Sequence, residues 1–213
     1  PDLIPMISVY FWAFFLVLCG LLLFAARLSS EWFRRTVTFV CSIPFIVFPV
    51  AQYPLIIGWD QYSHARIAKE YILGTGVAGE YSGYPGAFLL LNALRAAWHL
   101  DLIASAAFLA VVLRVMAILL MYVIAKRVIG KDKAYLAIVT FVLGNMVFSI
   151  YTYYCAQLFG FVVYLLWVYM YSQSIERERS RRVVVLLGVA SLILIVSHPF
   201  SSLLMVLTAV LTY

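Results

Sequence analysis

An acid and a histidine stand one helical turn apart early in the chain. Asp60 and His64 belong to the segment DQYSHARIAKEYIL, residues 60–73. If this segment is a helix, both share one face with Ile67 and Tyr71. Such a pair can share a proton or a divalent cation, and Asp60 could also act as a general base. The plainer interpretations are a helix N-cap for Asp60 and an interfacial histidine for His64.

A second histidine and one arginine interrupt otherwise apolar stretches. His198 stands directly before a proline, so it either marks a helix end or points into the cavity that Asp60 would face. Arg114 lies in the middle of an uncharged run, where a charge is costly and usually faces the protein interior or a wet cavity. It could hold an anion, but a structural contact with a polar group such as Asn145 or Gln157 is the favoured interpretation.

A short aromatic segment, YTYYCAQ at residues 151–157, contains Tyr153 and Gln157. Aromatic rings stack on sugars, and they also form belts at membrane interfaces. The belt is the favoured interpretation of the tyrosines. Neither a Gly-x-Ser-x-Gly elbow nor an HExxH motif occurs, so hydrolase and zinc-peptidase readings have no support. The pair of Asp60 and His64 does not by itself complete a metal site, and a divalent cation stays an open alternative.

The amino-acid composition predicts whether these residues lie in a soluble domain or in a membrane. Of the 213 residues, 66% are hydrophobic and 11% are charged, with a mean hydropathy of +1.03. An ordinary soluble domain has about 25% charged residues. The sequence therefore predicts an integral membrane protein and excludes a nucleic-acid-binding module, a disordered tail and a secreted disulfide scaffold. The three cysteines are too few and too scattered for a disulfide framework.

Apolar runs of about 20 residues predict an all-α, polytopic bundle of about seven transmembrane helices in one domain. The long segment 58–101 between the second and third spans is predicted to be an outer loop that contains membrane-parallel amphipathic helices. Because the chain begins at a proline and ends inside an apolar run, we expect a fragment or core module of a longer protein. The predicted spans are residues 6–26, 36–58, 102–125, 134–150, 155–175, 183–197 and an incomplete 199–213.

The basic residues orient the bundle. The loops near residues 27–35, 126–133 and 177–182 hold 11 of the 15 Lys and Arg residues, and all three fall on one side when the spans alternate. By the positive-inside rule that side is cytoplasmic, which puts segment 58–101 outside the plasma membrane. The net charge of +6 is thus a topology signal, and no nucleic-acid partner is expected.

The segments WDQYSHARIAKEYILGTG, YPGAFLLLNAL, YTYYCAQLFGF and SHPFSSLLMVL together resemble the membrane glycosyltransferases of the GT-C superfamily. The likeness is to the polytopic protein mannosyltransferases and aminoarabinose transferases of archaea and bacteria. In those proteins a first outer loop carries a catalytic acid just after a span, and a Tyr-Pro often precedes the return to the membrane. Asp60 matches the place of that acid, and Tyr84 with Pro85 matches the Tyr-Pro.

The resemblance implies an enzyme that moves a sugar from a polyprenyl-phosphate-linked donor to a glycan, lipid or protein acceptor on the outer face. The acid with its neighbouring histidine would be the catalytic pair. Basic side chains of the outer loop could hold the lipid phosphate by charge-assisted hydrogen bonds. On this reading the catalytic residues are Asp60 and His64, and the substrate-binding residues are Arg66, Lys69, Tyr84, Arg95, Tyr153, Gln157 and His198.

The chain departs from the family pattern in ways that keep other functions open. Gln61 stands where a second acid is usual, and the segment 151–157 carries no acid. A non-catalytic assembly or scaffold subunit would keep the bundle without needing Asp60. A transporter component would use Arg114 and His198 as intramembrane polar sites, although the inverted repeats typical of transporters are not found in this sequence.

Overall fold

The computed structural model describes residues 9–25, 27, 30–51, 59–74, 85–148, 156–176 and 180–212. Within these ranges all regular secondary structure is α-helical, so the all-α prediction is confirmed for the described part of the chain. The helices are α1 (Val9–Ala25), α2 (Glu31–Ala51), α3 (Trp59–Leu73), α4 (Gly86–Trp98), α5 (Leu102–Val128), α6 (Lys131–Phe148), α7 (Ala156–Glu176), α8 (Arg181–Ser197) and α9 (Pro199–Thr212).

Two helices of the described part are long and apolar enough to cross a membrane. They contain the 25-residue stretch Ala104–Val128 of α5 and the 20-residue stretch Ala156–Ile175 of α7. Only 39% and 33% of their most apolar windows are buried within the chain, whereas a core helix of a soluble protein is mostly buried. This exposed apolar surface supports membrane association. The other predicted spans coincide with helices that do not reach the same length and apolarity in the described residues.

Short connections and one cross-helix contact fix the direction of the central helices. Near the C-terminus of α5, Arg127 donates a hydrogen bond to the carbonyl oxygen of Ser172 near the C-terminus of α7, at 3.5 Å. Helices α5 and α7 are therefore parallel, and α8 returns antiparallel to α7. We call the end with the α1–α2, α5–α6 and α7–α8 connections the basic end, and the opposite end the α4 end.

Helix α4 is anchored at the α4 end by a core that it shares with α5 and α7. Phe88 and Leu91 of α4 are 1% and 2% exposed. Full burial of a leucine or phenylalanine side chain stabilises a fold by about 1.5–3 kcal/mol. The buried partners of α4 in this core include Leu109, Ala110, Leu113 and Ala117 of α5 and Ala156, Leu158, Val162 and Leu165 of α7.

Helix α3 packs antiparallel on α4. The Asn92 side chain donates a hydrogen bond to the carbonyl oxygen of Ala68 at 3.1 Å, and the Tyr71 and Phe88 rings stack at 5.8 Å. Ala68 is fully buried, as the predicted inward face of this helix requires. These two contacts set a register in which the C-terminal half of α3 lies beside the N-terminal half of α4. The α3–α4 hairpin is therefore one unit attached to the bundle through α4.

Arg114 satisfies its charge against the backbone of α2. Its Nη1 donates a hydrogen bond to the carbonyl oxygen of Ile46 at 2.9 Å, and the residue is 9% exposed. A carbonyl oxygen has two lone pairs, so the Ile46 oxygen can accept this bond from within a helix. The contact supports the structural interpretation of Arg114, with a backbone partner that sequence reasoning missed.

The first residue of α4 meets the end of α8 at a distance that only glycine allows. A Cβ atom on Gly86 would lie 2.6 Å from the Ser197 hydroxyl oxygen and 3.2 Å from the carbonyl oxygen of Val196. Ser197 is fully buried, so it has no open space into which to move. Glycine at position 86 therefore sets how closely the hairpin approaches the bundle.

This close approach predicts that Gly86→Ala destabilises the protein by about 1–3 kcal/mol, because the added methyl group forces α4 away from α8. Thermal unfolding of the detergent-solubilised protein, followed by tryptophan fluorescence, measures the effect. Gly188→Ala in α8 is the matched control, since no atom lies within 4 Å of its Cβ position. It should be neutral or stabilising by up to about 1 kcal/mol. Equal losses in both variants would contradict the steric explanation.

Candidate functional site

Four helix ends meet at the α4 end of the bundle, and we call this place the junction. Besides the contact of Gly86 with Ser197, α7 approaches the break between α8 and α9. A Cβ atom on Gly160 would lie 2.7 Å from His198 Cβ and 2.8 Å from the Ser201 hydroxyl oxygen. The two glycines thus bring the start of α4 and the second turn of α7 directly against the α8–α9 break. The break in turn places the first turn of α9 beside them.

Pro199 causes the break, because it has no N–H for the helical ladder and favours an extended conformation in the residue before it. His198 has that conformation, with φ −162° and ψ 122°. A neighbouring side chain adds hydrogen bonds to the backbone on both sides of the break. The Ser202 hydroxyl donates to the carbonyl oxygens of Leu194 at 2.9 Å and of His198 at 3.0 Å. Ser202 therefore has a structural role at the break.

His198 is the N-cap of α9. Its Nδ1 accepts a hydrogen bond from the backbone N–H of Ser201 at 3.3 Å and lies 3.2 Å from the Ser201 hydroxyl oxygen. An acceptor at Nδ1 leaves the proton of the neutral ring on Nε2. Burial lowers the pKa of His198, which favours this neutral form. The interpretation of His198 as a helix end is thus confirmed, and its Nε2–H is the donor that could serve a ligand.

Gln157 adds a polar group in the first turn of α7, three residues before Gly160. Its side-chain oxygen is buried and has no hydrogen-bond partner in the described part of the chain. A buried acceptor without a donor costs about 1–3 kcal/mol, so a hydroxyl or N–H group of a ligand would be stabilised here. Gln157 lies one helical turn before Gly160, which contacts His198, so this neutral acceptor and the His198 ring both belong to the junction.

Asp60 and His64 lie on the N-terminal half of α3, and their side chains are outside the described residues. The register of the hairpin places this half beside the C-terminal half of α4. Asp60 is roughly 16 Å along the helix axis from Tyr71, the residue that stacks near the start of α4. The structure therefore separates the backbone of Asp60 from His198 and does not support the prediction that they share one cavity. Asp60 instead lies toward the turn that carries Asp101.

Three of the predicted phosphate-binding residues lie on the hairpin. Arg66 is 79% exposed at its side chain and pairs with Glu70 at 2.8 Å. Lys69 is exposed on the same helix, as the predicted polar face of α3 requires. Arg95 is exposed in the last turn of α4, where the register sets it alongside the middle of α3. The hairpin thus collects the cations and the acid of the sequence prediction, whereas His198 and Gln157 belong to the junction.

Two further predicted residues, Tyr84 and Tyr153, lie outside the described residues. Pro85, the second residue of the predicted Tyr-Pro pair, is described and precedes α4 directly, beside the junction. Sequence reasoning missed Gly160. Its signal was an isolated glycine within a helical apolar run, which points to a close backbone approach.

No three His, Cys, Asp or Glu side chains among those described are close enough together to hold a metal ion. The side chains of Asp60 and His64 lie outside the described residues, so this statement does not cover them. Asp101 is described, and its side-chain oxygen accepts a hydrogen bond from the backbone N–H of Ala104 at 2.8 Å, as a helix N-cap does.

Comparison of the chain with protein-family models, with curated proteins and with solved structures found no match in any of the three.

The capping geometry of His198 yields a prediction about pH. His198→Ala should cost about 1 kcal/mol of stability, while His198→Asn should keep most of it because asparagine is a good N-cap. In the unfolded chain the imidazole binds a proton near pH 6.5, and in the folded chain only at lower pH. Stability from this group is therefore complete above about pH 6.5 and is lost as the pH falls through the lowered folded pKa.

Thermal unfolding between pH 5 and pH 8 measures this effect. The difference in stability between the wild-type protein and the Asn variant should shrink or reverse as the pH falls, because asparagine does not titrate. A difference that is constant across this range would refute the neutral-imidazole cap.

Proposed function

We propose that this chain is a multi-pass membrane protein of the GT-C glycosyltransferase kind. It would transfer a sugar from a polyprenyl-phosphate-linked donor to an acceptor outside the cell membrane. The observation that carries the proposal is the layout of the α4 end. A hairpin with the acids Asp60 and Glu70 and three cations lies beside an uncharged junction that offers one donor and one acceptor. All of it is at the end of the bundle opposite the basic end.

The chemistry of the two parts matches the two substrates. A donor phosphate is an anion at headgroup level, and the long side chains of Arg66, Lys69 and Arg95 can reach such a group from the exposed faces of the hairpin. An acceptor glycan is neutral and rich in hydroxyl groups, which suits the His198 Nε2–H and the Gln157 oxygen. An acceptor that lies along α4 from the junction would reach the N-terminal half of α3.

In the proposed reaction Asp60 is the general base. Its carboxylate takes the proton of the acceptor hydroxyl as the hydroxyl oxygen bonds to the anomeric carbon of the donor sugar. The bond between that carbon and the phosphate oxygen breaks, and polyprenyl phosphate leaves. General base catalysis typically contributes 10²–10⁴-fold to the rate. His64, one turn further along the helix, would orient the carboxylate or share its proton.

The predicted orientation in the membrane is consistent with a site at the α4 end that faces outward. About seven spans would join the described helices into a bundle whose basic end faces the cytoplasm. The α4 end would then face outward, with α3 and α4 along the outer surface. The exposed Arg66 and Lys69 fit water or headgroups at that level.

Asp60→Asn tests the catalytic assignment. Asparagine keeps the shape of aspartate within the first turn of α3, which begins at Trp59, but it cannot act as a base. We expect sugar transfer to fall at least 10²-fold, with thermal stability nearly unchanged. Purified protein in nanodiscs, supplied with a panel of labelled polyprenyl-phosphate sugars and a mixture of glycan and lipid acceptors, provides the measurement. Glu178→Gln makes the same chemical change in the predicted cytoplasmic loop 177–182, away from the hairpin, and should leave transfer intact.

Full transfer activity in a folded Asp60→Asn variant would remove Asp60 as the base. If the wild-type protein transfers none of the supplied sugars, the non-catalytic scaffold or transporter alternative gains instead.

The topology has its own test. In a variant without native cysteines, a cysteine at Ser180, before α8, should react with a membrane-impermeant maleimide only after the cells are opened. A cysteine at the exposed Lys69 of α3 should react in intact cells. Labelling of position 180 from outside would overturn the orientation of the whole chain.

A further inference from the structure

The basic end of the bundle has a built surface of its own. Two segments, residues 27–35 and 126–133, are far apart in sequence but joined in the structure, and we call them the basic patch. Lys131 forms an ion pair with Glu31, and the Tyr135 hydroxyl donates a hydrogen bond to the carbonyl oxygen of Glu31 at 3.4 Å. The start of α2 and the α5–α6 turn therefore form one surface.

The patch carries a net positive charge. Its two segments contain seven Lys and Arg residues and two acids. One acid, Glu31, is already engaged by Lys131 and by Arg35, which lies at 3.1 Å. These two cations, Lys131 first, lower the pKa of the Glu31 carboxyl, so it is ionised and neutralised within the patch. The remaining basic residues are Arg27, Arg34, Lys126, Arg127 and Lys133.

Aromatic rings hold two of the arginines in place. The Arg34 guanidinium lies over the Tyr135 ring at 5.2 Å, and the Arg35 guanidinium over the Tyr122 ring at 5.8 Å. The two tyrosines are buried, and their hydroxyl oxygens are 3.2 Å apart. A ring face holds a guanidinium without cancelling its charge, and its planar N–H groups match the geometry of phosphate oxygens.

Exposed apolar residues lie directly beside these cations. Trp32 is 72% exposed and Phe33 48% exposed in the first turn of α2, and Val128 and Ile129 in the α5–α6 turn are 71% and 47% exposed. Tryptophan next to basic side chains is typical of the headgroup level of a bilayer. A soluble anionic partner would leave these apolar side chains in water, whereas the edge of a lipid leaflet covers them.

We propose that the basic patch binds the headgroup of an anionic phospholipid, with the phosphate at the cations of α2 and the α5–α6 turn and the acyl chains along the exposed apolar residues. The proposal rests on insertion in a membrane and not on glycosyl transfer. Basic side chains near an anionic leaflet each add to lipid affinity, so a site that joins several from two segments selects anionic over zwitterionic lipid.

Native mass spectrometry of the detergent-solubilised protein, titrated with a phosphatidylglycerol and separately with a phosphatidylcholine of the same acyl chains, tests the proposal. We expect clearly tighter binding of phosphatidylglycerol. The double variant Lys126→Gln with Lys133→Gln should weaken that binding roughly 30-fold, from roughly 5-fold for each basic residue removed. Both lysines are exposed and make no ion pair among the described contacts, so the fold should be unaffected.

Arg181→Gln with Arg182→Gln is the matched control. It removes the same charge from exposed residues that begin α8, outside the basic patch. Its affinity for phosphatidylglycerol should equal that of the wild-type protein. Equal binding of the two lipids, equal losses in both double variants, or displacement of the lipid by millimolar inorganic phosphate would each overturn the proposal. Glycosyl transfer by Asp60 would be unaffected by any of these results.

Discussion

The break between α8 and α9 is the constraint on which the α4 end depends. Pro199 removes one N–H from the helical ladder, and an unsatisfied carbonyl in an apolar setting is costly. Around the break, the Ser202 hydroxyl adds hydrogen bonds to the carbonyl oxygens of Leu194 and His198, and His198 caps the next helix. Because these groups turn back on the backbone, the break is compact. Two other helices can then approach it closely, provided that glycine stands at the contact, as at Gly86 and Gly160.

Most charged side chains of the described residues lie at the two ends of the bundle, because a charge buried in its apolar middle is costly. The basic end joins its cations through Glu31 and two tyrosine rings, and the hairpin exposes its own cations to solvent or headgroups. Arg114 is the described exception within an apolar stretch, and it is tolerated because α2 presents the Ile46 carbonyl oxygen to it. The backbone of α2 thus supplies the partner that a buried guanidinium needs.

The sequence predicted what is periodic or compositional. Helix α3 carries a clear period of 3.6, and its buried Ala68 and exposed Lys69 follow from that period alone. The helix positions follow from apolar runs bounded by charges and prolines. The pairing of helices could not be predicted, because α5, α6 and α7 are apolar on all sides and give no signal of which face meets which neighbour. For that reason the sequence could not separate Asp60 from His198, and only the stacking of Tyr71 on Phe88 reveals their distance.

That separation bears on the kind of ligand that the α4 end can take. A small ion or solute passing through a bundle needs its polar contacts close together along one path. Here Asp60 lies toward the C-terminal end of α4, His198 and Gln157 lie toward its N-terminal end, and the cations of the hairpin lie along α4 between them. A ligand that contacts Asp60 as well as His198 and Gln157 must be extended, and it must combine an anionic group for the cations with neutral hydroxyl groups. A lipid-linked phosphate meeting a hydroxyl-rich acceptor has this distribution of charge, so the layout favours group transfer at the membrane surface over conduction through the bundle.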